Sequence, residues 1–328
     1  MTSVSIMTFN IEQLPLGTPP WVAGADYRLE RSRTAQALIG VLYPDVVVLN
    51  EAFSIEADAL CAELADIYPH QTPLLGDSCS GVGWDGSDGA CDITMFNGGV
   101  RILCRQHLAI KKKYQLVFRN YAAGTADSFS NKGAVLVCLH PSEGEDMWIV
   151  GTHLQADEGG VQASVRLAQM SELVTWAHEK AGNIPIVLAG DINSPLHETG
   201  PDGTPNLETI SAEYIEMENL LGPDGLLFPE RRNLKGDATY NMRINPRAKL
   251  RATAEVINYA NVLDYIGYIG NGATWIGFRD TAIIDYHNYG FINQAIDSVP
   301  SDHHPMRTTV EVDSSRKAFT SRRVRKCL

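Results

Sequence analysis

Long apolar runs are missing from this chain of 328 residues. None approaches the roughly 18 residues that a membrane-spanning helix needs. The first strand starts near Ser5, which leaves no room for a charged and then apolar leader. As written the chain reads as leaderless, which fits a cytoplasmic protein, one peripheral at a membrane, or a secreted one whose leader was removed. Cysteine is scarce as well. Six residues in this length exclude a disulfide scaffold, and no CxxC or Cys/His spacing points to structural zinc. Cys61, Cys104 and Cys138 lie in apolar contexts and read as buried thiols, whereas Cys79 and Cys91 flank a glycine-rich loop and can bridge in an oxidising compartment. Internal repeats and long linkers are also absent.

Positive charge is in deficit, with a net −12 at pH 7. The last fifteen residues run against this: they hold Arg316, Lys317, Arg322, Arg323, Arg325 and Lys326 and no acid, so the body is more acidic than the total. An acidic body repels a nucleic-acid backbone, whose attraction for proteins is mostly electrostatic. The chain is therefore expected to bind no nucleic acid and to be monomeric, with a body at 1–313 and a solvated basic tail at 314–328.

What is present is an interleaving of strand and helix signals, hence an α/β architecture. Helices are expected at 27–43, stopping before Pro44, at 55–67, at 165–181 with Ser164 as N-cap, and near 212–221. Strands are expected at 45–51, 99–104, 115–118, 134–139, 262–269 and 307–312, and the Gly-, Ser- and Asp-rich stretch 77–99 reads as loop. The aromatic-rich stretch 270–299 has no firm assignment. The pattern suits two packed sheets covered by helices, and periodicity alone does not separate that from one doubly wound sheet.

Several apolar runs end on a residue able to hold a metal or move a proton. Met7-Thr8-Phe9 leads to Asn10, Val46-Val47-Val48-Leu49-Asn50 to Glu51, Ile149-Val150-Gly151-Thr152 to His153, and Ile186-Val187-Leu188-Ala189-Gly190 to Asp191 and Asn193. Ser301-Asp302-His303-His304-Pro305 closes the series. Open sheets place ligands at the carboxyl ends of their strands. Singly, each residue is an ordinary turn or junction residue, and Asp191 with Asn193 before Pro195 also suits an Asx-turn. If the segment is extended instead, those two side chains share a side. Together the set makes an oxygen-rich site for a hard cation beside histidines that titrate near neutrality, which points to metal-assisted hydrolysis. His304 is the more expendable of its pair.

In this order, these segments resemble the endonuclease/exonuclease/phosphatase superfamily, the fold shared by deoxyribonuclease I, across residues 4–312. Val48-Leu49-Asn50-Glu51-Ala52-Phe53, Gly151-Thr152-His153-Leu154-Gln155-Ala156 and Ser130-Asn131-Lys132-Gly133 are similar to one branch, the bacterial-type neutral sphingomyelinases. The resemblance implies a four-layered α/β/β/α sandwich of two mixed sheets flanked by helices. It further implies a Mg²⁺-dependent (or Mn²⁺- or Co²⁺-dependent) phosphodiesterase that cleaves sphingomyelin at a membrane surface into ceramide and phosphocholine. By that likeness Glu51, helped by Asn10, holds the metal, with Asp191, Asn193 and His303 as further ligand candidates. His303 is the general base, and Asp302 supports the site (neighbours on a strand point apart, so contact with the His303 ring is not implied). Asp191 and Asn193 position water and phosphate or share a second metal, and His153 donates to the phosphoryl oxygens. Asp127 and Lys132 are a pair associated in that family with switching into the active arrangement, although an exposed loop pair is by itself worth almost nothing.

The likeness has gaps. The bacterial enzymes carry an aromatic-tipped hairpin, and no adjacent Trp-Phe pair matches it among Trp275, Ile276, Phe278, Tyr286 and Tyr289, which suit a buried core as well as a docking hairpin. Trp84, Tyr121 and Phe129 are candidate faces for a choline headgroup. The alternatives are a nuclease of the same fold, disfavoured by the acidic body, and an inactive membrane-binding module, disfavoured by retention of every expected residue. A phosphatase for inositol phosphates needs several Lys and Arg, in which the motifs are poor.

Overall fold

The run Val46, Val47, Val48, Leu49 shows why strands here are apolar on both sides. Val46 and Val48 join the core between two sheets, while Val47 and Leu49 join a second core beneath a pair of helices. Alternate residues of a strand face opposite ways, so a strand covered on both faces reads as one continuous apolar run. The computed structural model describes residues 2–313 apart from 16–17, 19–24, 94, 183, 185, 223, 229–237, 271–274 and 290–298. The basic tail thus lies outside the described residues.

One six-stranded sheet has the order β15-β16-β1-β2-β5-β3. Its strands are β1 (Thr2–Gln13), β2 (Val46–Ala52), β3 (His70–Gln71), β5 (Arg101–Cys104), β15 (Trp275–Ile283) and β16 (Met306–Asp313). The other has the order β14-β9-β8-β7-β6-β4. It is built of β4 (Gly86–Gly89), β6 (Leu108–Val117), β7 (Gly133–Pro141), β8 (Met147–His153), β9 (Ile186–Asp191) and β14 (Asp264–Ile269). Each sheet is mixed: β1 runs parallel to β2 and β8 to β9, and the remaining pairs of these sheets are antiparallel except β4 with β6. Two short pairs, β10 (His197–Thr199) with β11 (Pro205–Ile210) and β12 (Tyr240–Asn241) with β13 (Ala260–Asn261), stand apart.

Helices α1 (Arg28–Leu42) and α2 (Ile55–Glu63) cover the first sheet. Helices α3 (Gly160–Ala181) and α4 (Ala212–Leu220) pack into the core of the second. The expected α/β/β/α sandwich is therefore the fold. Leu38, Ile39, Leu60 and Leu64 anchor the outer helices, at about 1.5–3 kcal/mol for each apolar side chain fully buried.

Several boundaries differ from expectation for local reasons. α3 begins at Gly160, not at Ser164, whose hydroxyl bonds the Gly160 carbonyl at 2.7 Å inside the first turn. The apolar period starts only at Val165, which hid that turn. β6 starts at Leu108 because Lys111, Lys112 and Lys113 belong to a strand near the sheet's edge, where alternation is blurred. The 77–99 stretch is not all loop, since β4 pairs with β6 there, and Cys79 and Cys91 are disulfide-bonded around it. Cys61, Cys104 and Cys138 are buried thiols, as expected. Of the doubtful aromatics, Tyr286 is fully buried, Ile276 and Phe278 pack on the sandwich core, and Tyr289 packs against the outer one. These described residues pack as core, and positions 271–274 and 290–298 of the same stretch lie outside the described residues. The side chain of Trp275 lies outside the described residues.

Gly190 lies in β9 of the second sheet with a φ of 155°. A methyl group there would fall on the carbonyl of Thr152 in the neighbouring strand. Gly190→Ala is expected to destabilise the protein by about 1–3 kcal/mol, read as a lower midpoint of chemical unfolding; an unchanged midpoint would contradict this placement.

Candidate active site

Strand register brings the motif residues to one end of the sandwich. Asn10 pairs with Asn50 across β1 and β2, His153 with Asp191 across β8 and β9, and Asp191 with Asp264 across β9 and β14. β1 and β9 touch face to face, so the ends of both sheets share one mouth. Here the chain leaves extended geometry abruptly. Glu12, Glu51 and Asn193 have φ values of 49°, 53° and 55°. Such left-handed non-glycine residues each cost about 1–3 kcal/mol and cluster at functional sites.

Asn10 is the bridge between the sheets. Its side-chain amide donates to Glu51 Oε1 at 3.0 Å and to Asp191 Oδ2 at 2.9 Å. Its own oxygen accepts the Glu12 backbone N–H at 3.0 Å. Asn50 backs the arrangement, donating to the Thr152 carbonyl at 2.9 Å and accepting from the Asp191 amide at 3.2 Å.

Glu51 Oε2 and Asp264 Oδ1 are buried and have no hydrogen-bond partner among the described residues. Burial, then repulsion from Asp302, raises the Glu51 pKa against the opposing pull of Arg251 and the Asn10 amide. Asp191 is pushed up to about 7 by burial and by Asp264 beside it. Carboxylate oxygens held apart from any donor in this way fit a hard divalent cation, which takes oxygen ligands and neutralises the repulsion. The residues present therefore fit the metal.

His303 meets a partner that the sequence reading missed. Its Nδ1 lies 2.7 Å from Asp264 Oδ2, and its Nε2 lies 3.8 Å from Asp191 Oδ2. Oxygen or nitrogen ligand atoms of Asp191, Asp264 and His303 all lie within 4.8 Å of one another. Burial opposes a charged imidazole, but Asp264 and Asp191 outweigh it and hold His303 well above the ordinary histidine value. Asp302, expected to support the site without necessarily touching the neighbouring ring, approaches His303 Nε2 only to 4.0 Å and is engaged by Arg251 at 2.9 Å. Asp264 takes the supporting place because β14 runs antiparallel to β9 and enters the mouth with its first residue. A search for polar residues at the carboxyl ends of strands passes over it.

The remaining candidates also rearrange. The Asp191–Asn193 segment is not extended. The Asn193 amide N–H donates to Asp191 Oδ1 at 3.0 Å in an Asx-turn, and the Asn193 side chain donates to the Leu154 carbonyl at 3.2 Å. Lys132 is no exposed loop residue but 5% exposed. Its ammonium reaches Asp127 Oδ2 at 2.8 Å, the Leu154 carbonyl at 2.8 Å and His153 Nε2 at 3.1 Å. Three acceptors match the three protons of an ammonium group. His153 Nε2 thus accepts a hydrogen bond from Lys132, and burial followed by Lys132 and His303 keeps its pKa well below normal. With Nε2 engaged by Lys132, Nδ1 is the ring nitrogen left without a partner among the described residues.

Beneath the mouth lies a charge cluster that no motif announces. Glu12 faces Arg247 Nε at 2.6 Å, Arg251 Nη2 at 3.3 Å and Arg31 Nη1 at 3.5 Å, while accepting the Asp302 backbone N–H at 3.2 Å. Arg247 also pairs with Asp26 at 2.8 Å. These residues are far apart in the chain, and no local pattern links them.

No protein-family profile matches the chain. It is 36% identical over 159 residues to sphingomyelinase C of Listeria ivanovii, a match covering 45% of each protein. The chain thus spans about half the length of the curated relatives it matches. Its structure is similar to the crystal structure of sphingomyelinase C from Streptomyces griseocarneus, with a TM-score of 0.73 and 26% identity over 94% of this chain and 99% of that one. It also shares the fold of a beta toxin variant from Staphylococcus aureus with bound magnesium ions, at a TM-score of 0.71 and 23% identity over 94% and 99%. The resemblance read from the motifs agrees with these relatives.

A raised His303 pKa means that its charge stabilises the fold fully below the unfolded value of about 6.5 and loses that contribution as pH climbs through the folded one. In metal-free Asp264→Asn protein, His303 is expected to titrate at lower pH than in the parent, read from imidazole ¹⁵N shifts; an unmoved titration would discount Asp264. Glu12→Gln, which removes the charge facing three guanidinium groups, is expected to cost about 3–5 kcal/mol in chemical unfolding, and a loss near zero would contradict a buried cluster.

Proposed function

We propose that the chain is a Mg²⁺-dependent phosphodiesterase that hydrolyses sphingomyelin to ceramide and phosphocholine. The observation that carries the reaction type is the unpartnered, buried Glu51 Oε2 beside the His303–Asp264 pair. The substrate rests on the likeness to proteins named sphingomyelinase C and on the Ser130-Asn131-Lys132-Gly133 segment. In this reading residues 1–313 are the catalytic body, and the tail 314–328 is a separate basic extension.

Glu51 would hold the metal, with Asp191, Asn193, Asn10 and His303 grouped around it. When bound, Mg²⁺ (Mn²⁺ and Co²⁺ being its natural substitutes) polarises the phosphoryl group and stabilises charge on the leaving oxygen. Asp264 accepts the His303 Nδ1–H and so fixes the ring. With the carboxylates that now raise His303 neutralised by a bound metal, Nε2 would be left free to take a proton. His303 then removes a proton from water as its oxygen bonds to phosphorus, the bond to the ceramide oxygen breaks, and that oxygen acquires a proton. Asp191 stands within 4 Å of both His303 Nε2 and His153 Nε2 (3.8 and 3.7 Å), where it orients the groups around the attacked phosphorus. Lys132 and Asp127 act through His153 by fixing its ring. Asp302 acts through Arg251, which it neutralises under the site.

Two exposed aromatic faces on the segments leading to Lys132 are the candidates for the headgroup. Tyr121 precedes Ala122, whose amide donates to Gln155 beside His153, and Phe129 lies in the turn between Asp127 and Lys132. An aromatic face suits a quaternary ammonium. Trp84, by contrast, packs against the core. The Cys79–Cys91 bridge is of a kind that persists in oxidising compartments and supports action outside the reducing cytosol.

Phosphocholine release from sphingomyelin vesicles is expected with Mg²⁺ and not with EDTA. Glu51→Ala is expected to lower the rate by about a thousandfold or more, the several kcal/mol that a Lewis-acidic metal supplies. Cleavage of plasmid DNA without phosphocholine release would instead place the chain with the nucleases of this fold. Silence on both substrates would favour an inactive binding module.

A further inference from the structure

His304 is the residue that the proposed reaction leaves unused, and its surroundings are unusual. The side chain is 1% exposed, and neither ring nitrogen makes a hydrogen bond of good geometry among the described residues, although the Ile284 backbone lies beside the ring. One ring face stacks on Tyr286, centroids 4.4 Å apart and planes at 18°. Tyr286 is itself fixed, donating to the Ser301 carbonyl at 2.7 Å and accepting from Asn245 at 2.6 Å. A buried imidazole with neither nitrogen well bonded calls for an explanation such as a water or an ion.

The turn following β15 supplies the rest. Asp285 Oδ1 accepts the His287 backbone N–H at 3.0 Å and lies 3.0 Å from His287 Nδ1. Ligand atoms of Asp285, His287 and His304 all fall within 4.8 Å of one another. Tetrahedral zinc with bonds near 2.0–2.1 Å needs ligand atoms roughly 3.3–3.5 Å apart, so small side-chain rotations suffice. Asp285 is 43% exposed along its side chain and His287 14%, which leaves a path from solvent. An Asp–His pair capping a surface turn is commonplace. What sets this one apart is the buried histidine beside it, whose ring nitrogens make no well-formed hydrogen bond among the described residues.

We propose that Asp285, His287 and His304 form a second cation site, chemically distinct from the oxygen-rich mouth and suited to a borderline transition metal such as Zn²⁺. Two imidazole nitrogens and one carboxylate leave a position for water, and nitrogen-rich sets favour such metals over Mg²⁺. The site is separate from the catalytic centre because consecutive residues of an extended segment point apart: His303 faces Asp264, and His304 faces Tyr286. A metal here would pin the turn after β15 to the segment carrying His303. The backbone already joins them, with the Ile284 amide donating to the Pro305 carbonyl at 2.8 Å.

The test is Co²⁺ uptake by the metal-stripped full chain in excess Mg²⁺, followed by visible absorption and competed with Zn²⁺. The parent and Glu51→Gln are both expected to bind about one equivalent that Zn²⁺ displaces and Mg²⁺ does not. His304→Phe, which keeps a ring on Tyr286, and His287→Ala, which alters only a half-buried ring, are each expected to weaken binding at least about a hundredfold, in line with loss of one ligand of three. Zn²⁺ is also expected to raise the melting temperature of the parent and of Glu51→Gln but not of either histidine variant. Undiminished cobalt binding in both histidine variants would overturn the site, as would its loss in Glu51→Gln. No uptake by the parent would overturn it too, leaving water as the partner of His304. Because the readout is metal binding in the presence of Mg²⁺, it does not depend on which substrate the mouth cleaves.

Discussion

Crowded negative charge is the constraint on which this architecture turns. Glu12, Glu51, Asp191, Asp264 and Asp302 converge where the ends of two sheets meet, most of them buried. Like charges at such range disfavour ionisation unless cations or donors offset them. Two devices do so. Arg31, Arg247 and Arg251 gather beneath Glu12 and Asp302, and the Asn10 amide donates to Glu51 and Asp191 from between the sheets. Glu51 Oε2 and Asp264 Oδ1 are left without such compensation, and it is there that a cation has the most to gain.

The offset is layered by depth. Under the mouth, guanidinium groups balance carboxylates, and Asp302 keeps a lowered pKa despite burial because Arg251 and His303 stand beside it. At the mouth the balance is incomplete, and Asp191 and Glu51 are raised. The fold thus spends its fixed positive charge on the acids that scaffold the site and leaves deficient those that face the reaction. His303 and Lys132 lie between, each held by a carboxylate of its own, Asp264 and Asp127.

Much of this was legible from the chain because parallel strands buried on both faces announce themselves as apolar runs, and their carboxyl ends are where Glu51, His153 and Asp191 stand. Asn10 was found by the same rule although β1 continues to Gln13. Asp264 escaped because it opens an antiparallel strand, so its apolar run follows it. Glu12 escaped because the run had already ended in an Asn. The arginine cluster had no local signal, since Glu12 meets Arg247 across more than two hundred residues of chain. Asp127 and Lys132 were found by resemblance alone. Their burial, which makes the pair matter, follows from β7 starting at Gly133 and the Asn131 amide reaching the Gly76 and Asp92 carbonyls at 3.0 and 2.8 Å. Asp302 stands under the site against Arg251, and the carboxylate at the His303 ring is Asp264, which only the folded sheet brings close.

The central claim is that the unpartnered carboxylate oxygen at the end of β2 is where the metal binds. Anomalous scattering from a crystal of the full chain grown with Mn²⁺ tests it most directly. The account requires a strong peak within bonding distance of Glu51 Oε2 that vanishes in Glu51→Gln. A mouth that stays empty at saturating Mn²⁺, or a peak there that survives the substitution, would contradict it.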